Sequence, residues 1–389
     1  MQIDLIQRAL REQGLDGWLF FDHHERDPLA YRILGFKPCR HVTRRWYYFI
    51  PAQGEPRKLV HRIESSMLDP LPGARQVYSS WQEQVSGVAA LLAGCRRVAM
   101  QYSPQCAIVY VSMVDAGTVE LVRSTGVEVV SSADLIQYFE ARWDQAKLDS
   151  HLDAGRRVDE VRSRAFELIR QRHASGGNIT EYEVQQFIRD EFRHRGLYTD
   201  HGPIVAVNAN ASNPHYEPTA EVHQPVRRGD VVLIDLWAKL DQPGSVYYDI
   251  TWAGYCGDRV PDPVQRVFEV VRGARDRAAA LVTEASTAGR TLRGFEVDDA
   301  ARGYIREAGF GQYFIHRTGH SIGEEVHGAG ANMDNLESHD DRTIIPWTCF
   351  SVEPGIYLAE FGIRSEVNVF VSEGHARTTG PVQRELVLM

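Results

Sequence analysis

The sequence predicts an α+β protein of two domains, a smaller mixed α/β domain over residues 1–145 followed by a larger domain over 146–389. Three observations carry that prediction. A chain of 389 residues exceeds what one hydrophobic core usually organises. Near residue 145 an alternation of short apolar runs and helical patterns gives way to one long, charged helical stretch, "KLDSHLDAGRRVDEVRSRAFELIRQR". Beyond it come two similar helical units and a series of strand-like runs.

In the first domain, "MQIDLIQRALREQGLDGWLFF" is an amphipathic helix running into a strand. Acids interrupt it and it lacks a basic start, so it is not a secretion signal. "RRWYYFIPAQGEPRKLVHR" reads as a hairpin around a Gly/Pro turn, and "RRVAMQY" as a further strand. His23 and His24 in "FFDHHERD" read as a solvated loop. Nowhere do ~18 apolar residues run together, which excludes a membrane-spanning helix. The net charge of −9, with no dense Lys/Arg cluster, argues against nucleic acid or an anionic membrane as partner. Cys39, Cys95, Cys106, Cys256 and Cys349 show no CxxC spacing, and reduced thiols in a cytoplasmic protein are expected.

In the second domain, Thr180 and Glu183 have the spacing of a capping box, Val184, Phe187 and Ile188 begin an apolar face, and Gly196 ends the helix. A similar unit recurs with Val297, Ala300, Ala301, Tyr304 and Ile305 on one face and Gly309 at its end. "PIVAV" follows the first unit as a strand and "YFIH" the second, so the two form related half-domains. "VVLIDLWA" and "VYYDITWAGY" pair across the turn "KLDQPG". "TCFSVEPGIY" and "GIRSEVNVFV" are the remaining strands, the latter with Ile363, Ser365, Val367 and Val369 on one face and Arg364, Glu366 and Asn368 on the other.

Asp235, Asp249, Glu353 and Glu366 each interrupt or abut one of these apolar runs. Singly, each could belong to an edge strand or an ion pair. Together they need a common compensating charge, since carboxylates are rarely buried unpaired. Two carboxylates ~4 Å apart repel by about 4 kcal/mol at an effective dielectric of ~20, so a converging cluster protonates unless cations fill it. Two divalent ions balance four carboxylates, and oxygen ligands with one imidazole suit Mn²⁺, Co²⁺ or Zn²⁺. The stretch "HRTGHSIGEEVHG", residues 316–328, is the best source of the imidazole. Its glycines make it a loop, and it lacks the H-E-x-x-H base, so at most one of His316 and His320 is a ligand. The same stretch satisfies G-x-S-x-G around Ser321, but "EEVHGAGANMD" is a poor helix to follow a nucleophile elbow.

"IDLWAKLDQPGSVYYDIT", "HRTGHSIGEEVH", "FSVEPGIY" and "GIRSEVNVFV", in this order, resemble the pita-bread metallopeptidases, in particular Xaa-Pro dipeptidase (prolidase) and aminopeptidase P. The resemblance covers most of residues 146–389 and implies a catalytic pita-bread (creatinase/aminopeptidase-like) domain with pseudo-twofold halves, preceded by a creatinase-like N-terminal domain. It implies two divalent ions per chain, manganese first and cobalt or zinc as alternatives, held by Asp235, Asp249, His320, Glu353 and Glu366. It further implies that Glu353 accepts a proton from water, that His327 and His215 act on the substrate side, and that His316, Tyr357 and Arg364 line or orient the site. Arg342 or Arg364 is expected to capture a dipeptide's carboxylate, on charge alone. The implied reaction is hydrolysis of the bond preceding proline in short peptides, by a homodimer. The turn between Asp235 and Asp249 is longer than is usual in that family, which makes Asp241 a rival ligand, and Trp347 stands where a glycine is common. The short N-terminal domain favours the dipeptidase over aminopeptidase P. Metal-free pita-bread enzymes and peptide-binding modules are the remaining alternatives.

Overall fold

The computed structural model describes residues 3–37 and 41–389. The chain divides into two compact units, Met1–Glu140 and Ala141–Met389.

The first unit runs α1 (Ile3–Glu12), β1 (Gly17–Asp22), α2 (Pro28–Leu34), β2 (Trp46–Pro51), β3 (Arg57–His61), β4 (Ala74–Tyr78), α3 (Trp81–Leu91), β5 (Arg97–Met100), α4 (Ala116–Arg123), β6 (Glu128–Ser131) and α5 (Ala133–Ile136). The strands form one mixed sheet in the order β4-β3-β2-β1-β5-β6. β1 and β2 are buried at every position, which is why they read as unbroken apolar runs and lie in the middle of the sheet. β2 and β3 make the expected hairpin, with Tyr47 opposite Leu59. On one face Leu19, Phe21, Tyr47 and Phe49 pack beneath Val88 and Leu91 of α3 and Val119 and Val122 of α4.

The second unit runs α6 (Gln145–Ala174), β7 (Ile179–Thr180), α7 (Glu181–His194), β8 (Leu197–Tyr198), β9 (Ile204–Val207), β10 (Pro225–Val226), β11 (Val231–Leu240), β12 (Tyr248–Tyr255), α8 (Asp262–Thr287), α9 (Gly294–Glu307), β13 (Ser321–Ile322), β14 (Thr348–Val352), β15 (Gly355–Tyr357), β16 (Gly362–Arg364), β17 (Val367–Ser372), β18 (His375–Thr379) and β19 (Val387–Leu388). α6 and α7 share one core with β11 and β12. α8 and α9 share another with β14 and β17. These are two halves of similar build. Thr180 and Glu183 form the expected capping box at the start of α7. At the start of α9, Glu296 reaches back to the Arg293 backbone N–H at 2.8 Å. Gly196 and Gly309 follow those glutamates at the same spacing and adopt positive φ, +64° and +89°. That conformation is the reason for glycine there.

Three local expectations differ from the structure. "YFIH" forms no strand: Gly311–Tyr313 is a 3₁₀ turn leading into a loop. Tyr304 is exposed, and the buried face of α9 carries Asp298 beside Val297, Ala301 and Ile305 instead. "GIRSEVNVFV" is two strands, because β16 pairs with β15 whereas β17 pairs with β14. Ser365 and Glu366 span the break, and both are buried. Among the described residues no helix is long and apolar enough to cross a membrane. Cys95, Cys106, Cys256 and Cys349 are free thiols, and Cys39 lies outside the described residues.

Candidate metal centre

The strand register brings the two aspartates together. In the β11–β12 hairpin Asp235 lies opposite Thr251, and Trp237 opposite Asp249. Directly opposed residues share a face, as do positions two apart on one strand. Asp235 and Asp249 are therefore diagonal neighbours on the same face, and both are buried. The long turn between the strands leaves this register intact, and the rival Asp241 sits exposed within it.

Glu353 and Glu366 occupy the breaks that interrupt the second sheet, Glu353 between β14 and β15 and Glu366 between β16 and β17. Leaving the ladder at these points turns both carboxylates toward the hairpin face. Glu366 accepts from the Thr251 hydroxyl at 2.9 Å, and its own N–H donates to the Thr251 carbonyl at 3.1 Å. His320 approaches from the loop preceding β13. Its Nε2 lies 3.3 Å from a Glu353 oxygen and 3.5 Å from an Asp249 oxygen. Donor atoms of Asp249, His320 and Glu366 all lie within 4.8 Å of one another.

Two features fit this cluster to a divalent cation. Asp235 Oδ1, Asp249 Oδ1 and Glu366 Oε1 are buried oxygens with no hydrogen-bond partner, a costly arrangement without a positive charge between them. Nδ1 of His320 lies 3.1 Å from the Ser321 carbonyl, which makes it the protonated nitrogen and leaves the Nε2 lone pair facing carboxylates. Electrostatics point the same way. Burial, reinforced by the neighbouring acids, pushes Asp249 and Glu366 well above the ordinary carboxylate range, and burial also raises Glu353 although His320 and Arg364 oppose it.

Arg364 is the cation that faces these acids from within the chain. It donates to Asp235 at 2.5 Å, to the Thr251 hydroxyl at 3.1 Å and to the Tyr357 hydroxyl at 3.0 Å. Three of its five donors are engaged by the site's own residues, an arrangement that orients the site. His316 Nε2 meets the same Tyr357 hydroxyl at 2.6 Å. Burial drives the His316 imidazole down to about 3 and the Tyr357 phenol up to about 12, so both are neutral and form a continuous wall with Arg364. His327 packs edge-on against His320, ring centroids 4.4 Å apart, and the adjacent His320 imidazole, together with burial, disfavours its protonation. His215 is exposed on the loop after β9, close enough to lower the His327 pKa further.

Arg342 does not belong to this set. It is buried, forked onto Asp340 at 2.9 and 2.6 Å, and donates to the Ala329 carbonyl at 2.8 Å. With three of its five N–H donors spent within its own loop, Arg342 is not among the residues gathered around the carboxylates. Ser321 is no nucleophile either: a strand and then a loop follow where an elbow needs a helix, and its hydroxyl accepts from Gly330 N–H at 3.0 Å.

Several supporting residues escaped the sequence reading. Ser351 donates to Glu353 at 3.0 Å and accepts from the His320 N–H at 2.9 Å. Asp298 takes the Thr318 N–H and hydroxyl at 2.9 and 2.6 Å, fixing the loop that ends in His320. Thr251 and Ser351 were reachable by strand alternation, two positions from Asp249 and Glu353. Asp298 showed itself as an acid beside the apolar stripe of α9.

Residues 149–373 match metallopeptidase family M24. The chain is 29% identical over 243 residues to an Xaa-Pro dipeptidase of Lactobacillus delbrueckii subsp. lactis, covering 60% of this chain and 58% of that protein. It is 26% identical over 347 residues to a probable dipeptidase PepE of Mycobacterium tuberculosis, covering 87% and 84%. Its fold matches the crystal structure of dipeptidase PepE from Mycobacterium ulcerans with a TM-score of 0.73 at 24% identity, over 100% of this chain and 96% of that one. The chain thus spans less than two thirds of the length of several curated relatives it matches, among them the Lactobacillus enzyme. The likeness of fold extends over its whole length, and the second unit has the pita-bread architecture.

Proposed function

The chain belongs to metallopeptidase family M24, whose members imply a divalent metal cofactor, and from that premise we propose that it is an Xaa-Pro dipeptidase using two divalent ions. Asp235, Asp249, His320, Glu353 and Glu366 would hold the ions, with Mn²⁺ as the expected metal. The observation that carries the reading is the set of three orphaned carboxylate oxygens beside the Nε2 of His320. When bound, the ions supply Lewis-acid polarisation of the scissile carbonyl and acidify water.

The chain's own groups do the rest. Glu353, steadied by the Ser351 hydroxyl, accepts the water's proton and passes it to the departing proline nitrogen. His327 and His215 contact the substrate, with neutral His327 donating to the oxygen that gains charge. The nitrogen of an Xaa-Pro bond carries no hydrogen, so the leaving side must be recognised as a ring. The neutral wall of His316 and Tyr357 suits that task. Arg364 locks Asp235, Thr251 and Tyr357 into one arrangement.

The test is hydrolysis of Gly-Pro and Ala-Pro, with Ala-Ala and Ala-Pro-Ala as comparators, after EDTA treatment and readdition of Mn²⁺, Co²⁺ or Zn²⁺. Metal-restored cleavage of the Xaa-Pro dipeptides is expected. Cleavage of the tripeptide alone would move the assignment to an Xaa-Pro aminopeptidase. Indifference to EDTA with inhibition by a serine-directed phosphonate would overturn the metal centre.

A further inference from the structure

The first unit contains a cavity of about 810 Å³ that is lined by no residue of the metal centre. Its position follows from the sheet. β1 runs parallel to β5, β3 runs parallel to β4, and β2 is antiparallel to both β1 and β3. The carboxyl ends of β1, β3, β4 and β5 therefore share one edge with the start of β2. His23 follows β1, His61 ends β3, Tyr78 ends β4 and Arg45 precedes β2, and all four line the cavity. In open α/β sheets this edge is where ligands are held, because the loops leaving the strands diverge there and leave a crevice.

The charge in this crevice is unbalanced. Arg26, Arg44 and Arg45 line it. Among the described residues neither Arg26 nor Arg45 has a carboxylate partner, the Arg45 side chain meeting the Tyr78 hydroxyl, and the side chain of Arg44 donates only to Thr43. His23 registers the crowding: after burial and His24, it is Arg26 and Arg45 that lower its pKa. Nearby acids are already engaged. Asp115, which lines the cavity, caps α4 through the N–H and hydroxyl of Thr118. Glu64 takes the Thr43 and Arg44 N–H groups, and Glu83 takes those of Ser79 and Ser80. In a chain of net charge −9, three guanidinium groups converging on one crevice without a carboxylate partner are out of keeping with the rest of the surface. Arginine forks match the planar pairs of oxygens on phosphate, and a dianion with three terminal oxygens meets three of them at once. At the rim Trp81 is 68% exposed, an aromatic face available to a planar group attached to the phosphate.

We infer that this crevice is a binding site for a small phosphate monoester, separate from the metal centre and independent of the proposed peptidase activity.

The test is calorimetric titration of the metal-loaded enzyme with AMP, inorganic phosphate and succinate at fixed ionic strength. It is repeated on R26A/R45A and on R123A, a control whose guanidinium lies elsewhere, on the hydroxyl of Tyr102. Saturable binding of AMP or phosphate at one site per chain is expected, weakened about tenfold or more in R26A/R45A and unchanged in R123A. Dipeptide hydrolysis in R26A/R45A is expected to stay at the parent level, which also reports that the variant is folded. Absence of saturable binding, tighter binding of succinate than of the phosphates, or equal weakening by R123A would each overturn the assignment.

Discussion

His151 offers a quantitative test of how the second unit is held together. It is wholly buried in α6, with Nδ1 2.7 Å from the Tyr247 carbonyl and Nε2 2.6 Å from the Thr379 hydroxyl. It therefore joins the helix to the approach of the strand bearing Asp249 and to the end of β18. Burial, opposed by the Tyr247 carbonyl, lowers its pKa to about 4, against ~6.5 for an unfolded histidine. A depressed folded-state pKa means that the unfolded chain takes up the proton first. The stabilisation is thus complete above about pH 6.5 and lost progressively as the pH falls toward 4. Between pH 7.5 and 5 the loss works out at ~2 kcal/mol, from about 1.36 kcal/mol per pKa unit. Urea denaturation of parent and His151→Asn at both pH values isolates this group, because the other histidines titrate in both proteins. The parent should lose ~2 kcal/mol more than the variant over that interval. Parallel losses would refute the reasoning and mean that the ring titrates normally despite its burial.

The imidazoles of residues 316–328 should separate by function. His320→Ala is expected to lose bound metal, measured by elemental analysis, whereas His327→Ala keeps metal and loses turnover; loss of metal in both would unseat the assigned division. Glu181 is fully buried and accepts from Val207 N–H at 2.7 Å, Asn210 at 3.0 Å, the Tyr216 hydroxyl at 2.6 Å and Gln224 N–H at 2.6 Å. Glu181→Gln turns donors onto donors, costs ~1–3 kcal/mol of stability and should lower kcat/KM without changing metal content, because it frees the loop bearing His215. Arg342→Met leaves Asp340 charged and buried, so it should cost ~3–5 kcal/mol in denaturant unfolding while KM for Gly-Pro stays at the parent value. A rise in KM would favour the substrate role read from its charge.

What the sequence disclosed of the site was its chemistry, because acids inside apolar runs and glycines around His320 are local signals. The hairpin of Asp235 and Asp249 was legible for the same reason: period-two alternation and a turn determine register together. The break between Arg364 and Val367 was not, since all of "IRSEVNV" is buried and alternation disappears when both faces are covered. Nor was the fate of Arg342. Its partner Asp340 is two residues away, and whether two such side chains pair or point apart depends on a loop conformation that no periodicity encodes. The phosphate crevice is hidden for a related reason. His23, Arg26, Arg45 and His61 come from three separate segments, and only the strand order assembles them.

The recurrence of α7 and α9 gives the site its logic. Val184 and Val297 occupy the same place after the two capping glutamates, and the next residue in each helix is a buried polar group, Gln185 and Asp298. Asp298 holds Thr318, two positions before His320. Gln185 donates to the Pro203 carbonyl at 3.1 Å and to Glu217, two positions after His215, at 3.3 Å. One helix position has thus been put to the same use twice, anchoring a loop two residues from an imidazole. On the proposed roles the two loops serve different ends, metal in the α9 half and substrate in the α7 half. Damage to Asp298 should therefore appear as lost metal, and damage to Gln185 as weakened turnover at full metal occupancy, a difference that two helices of unrelated origin would have no reason to display.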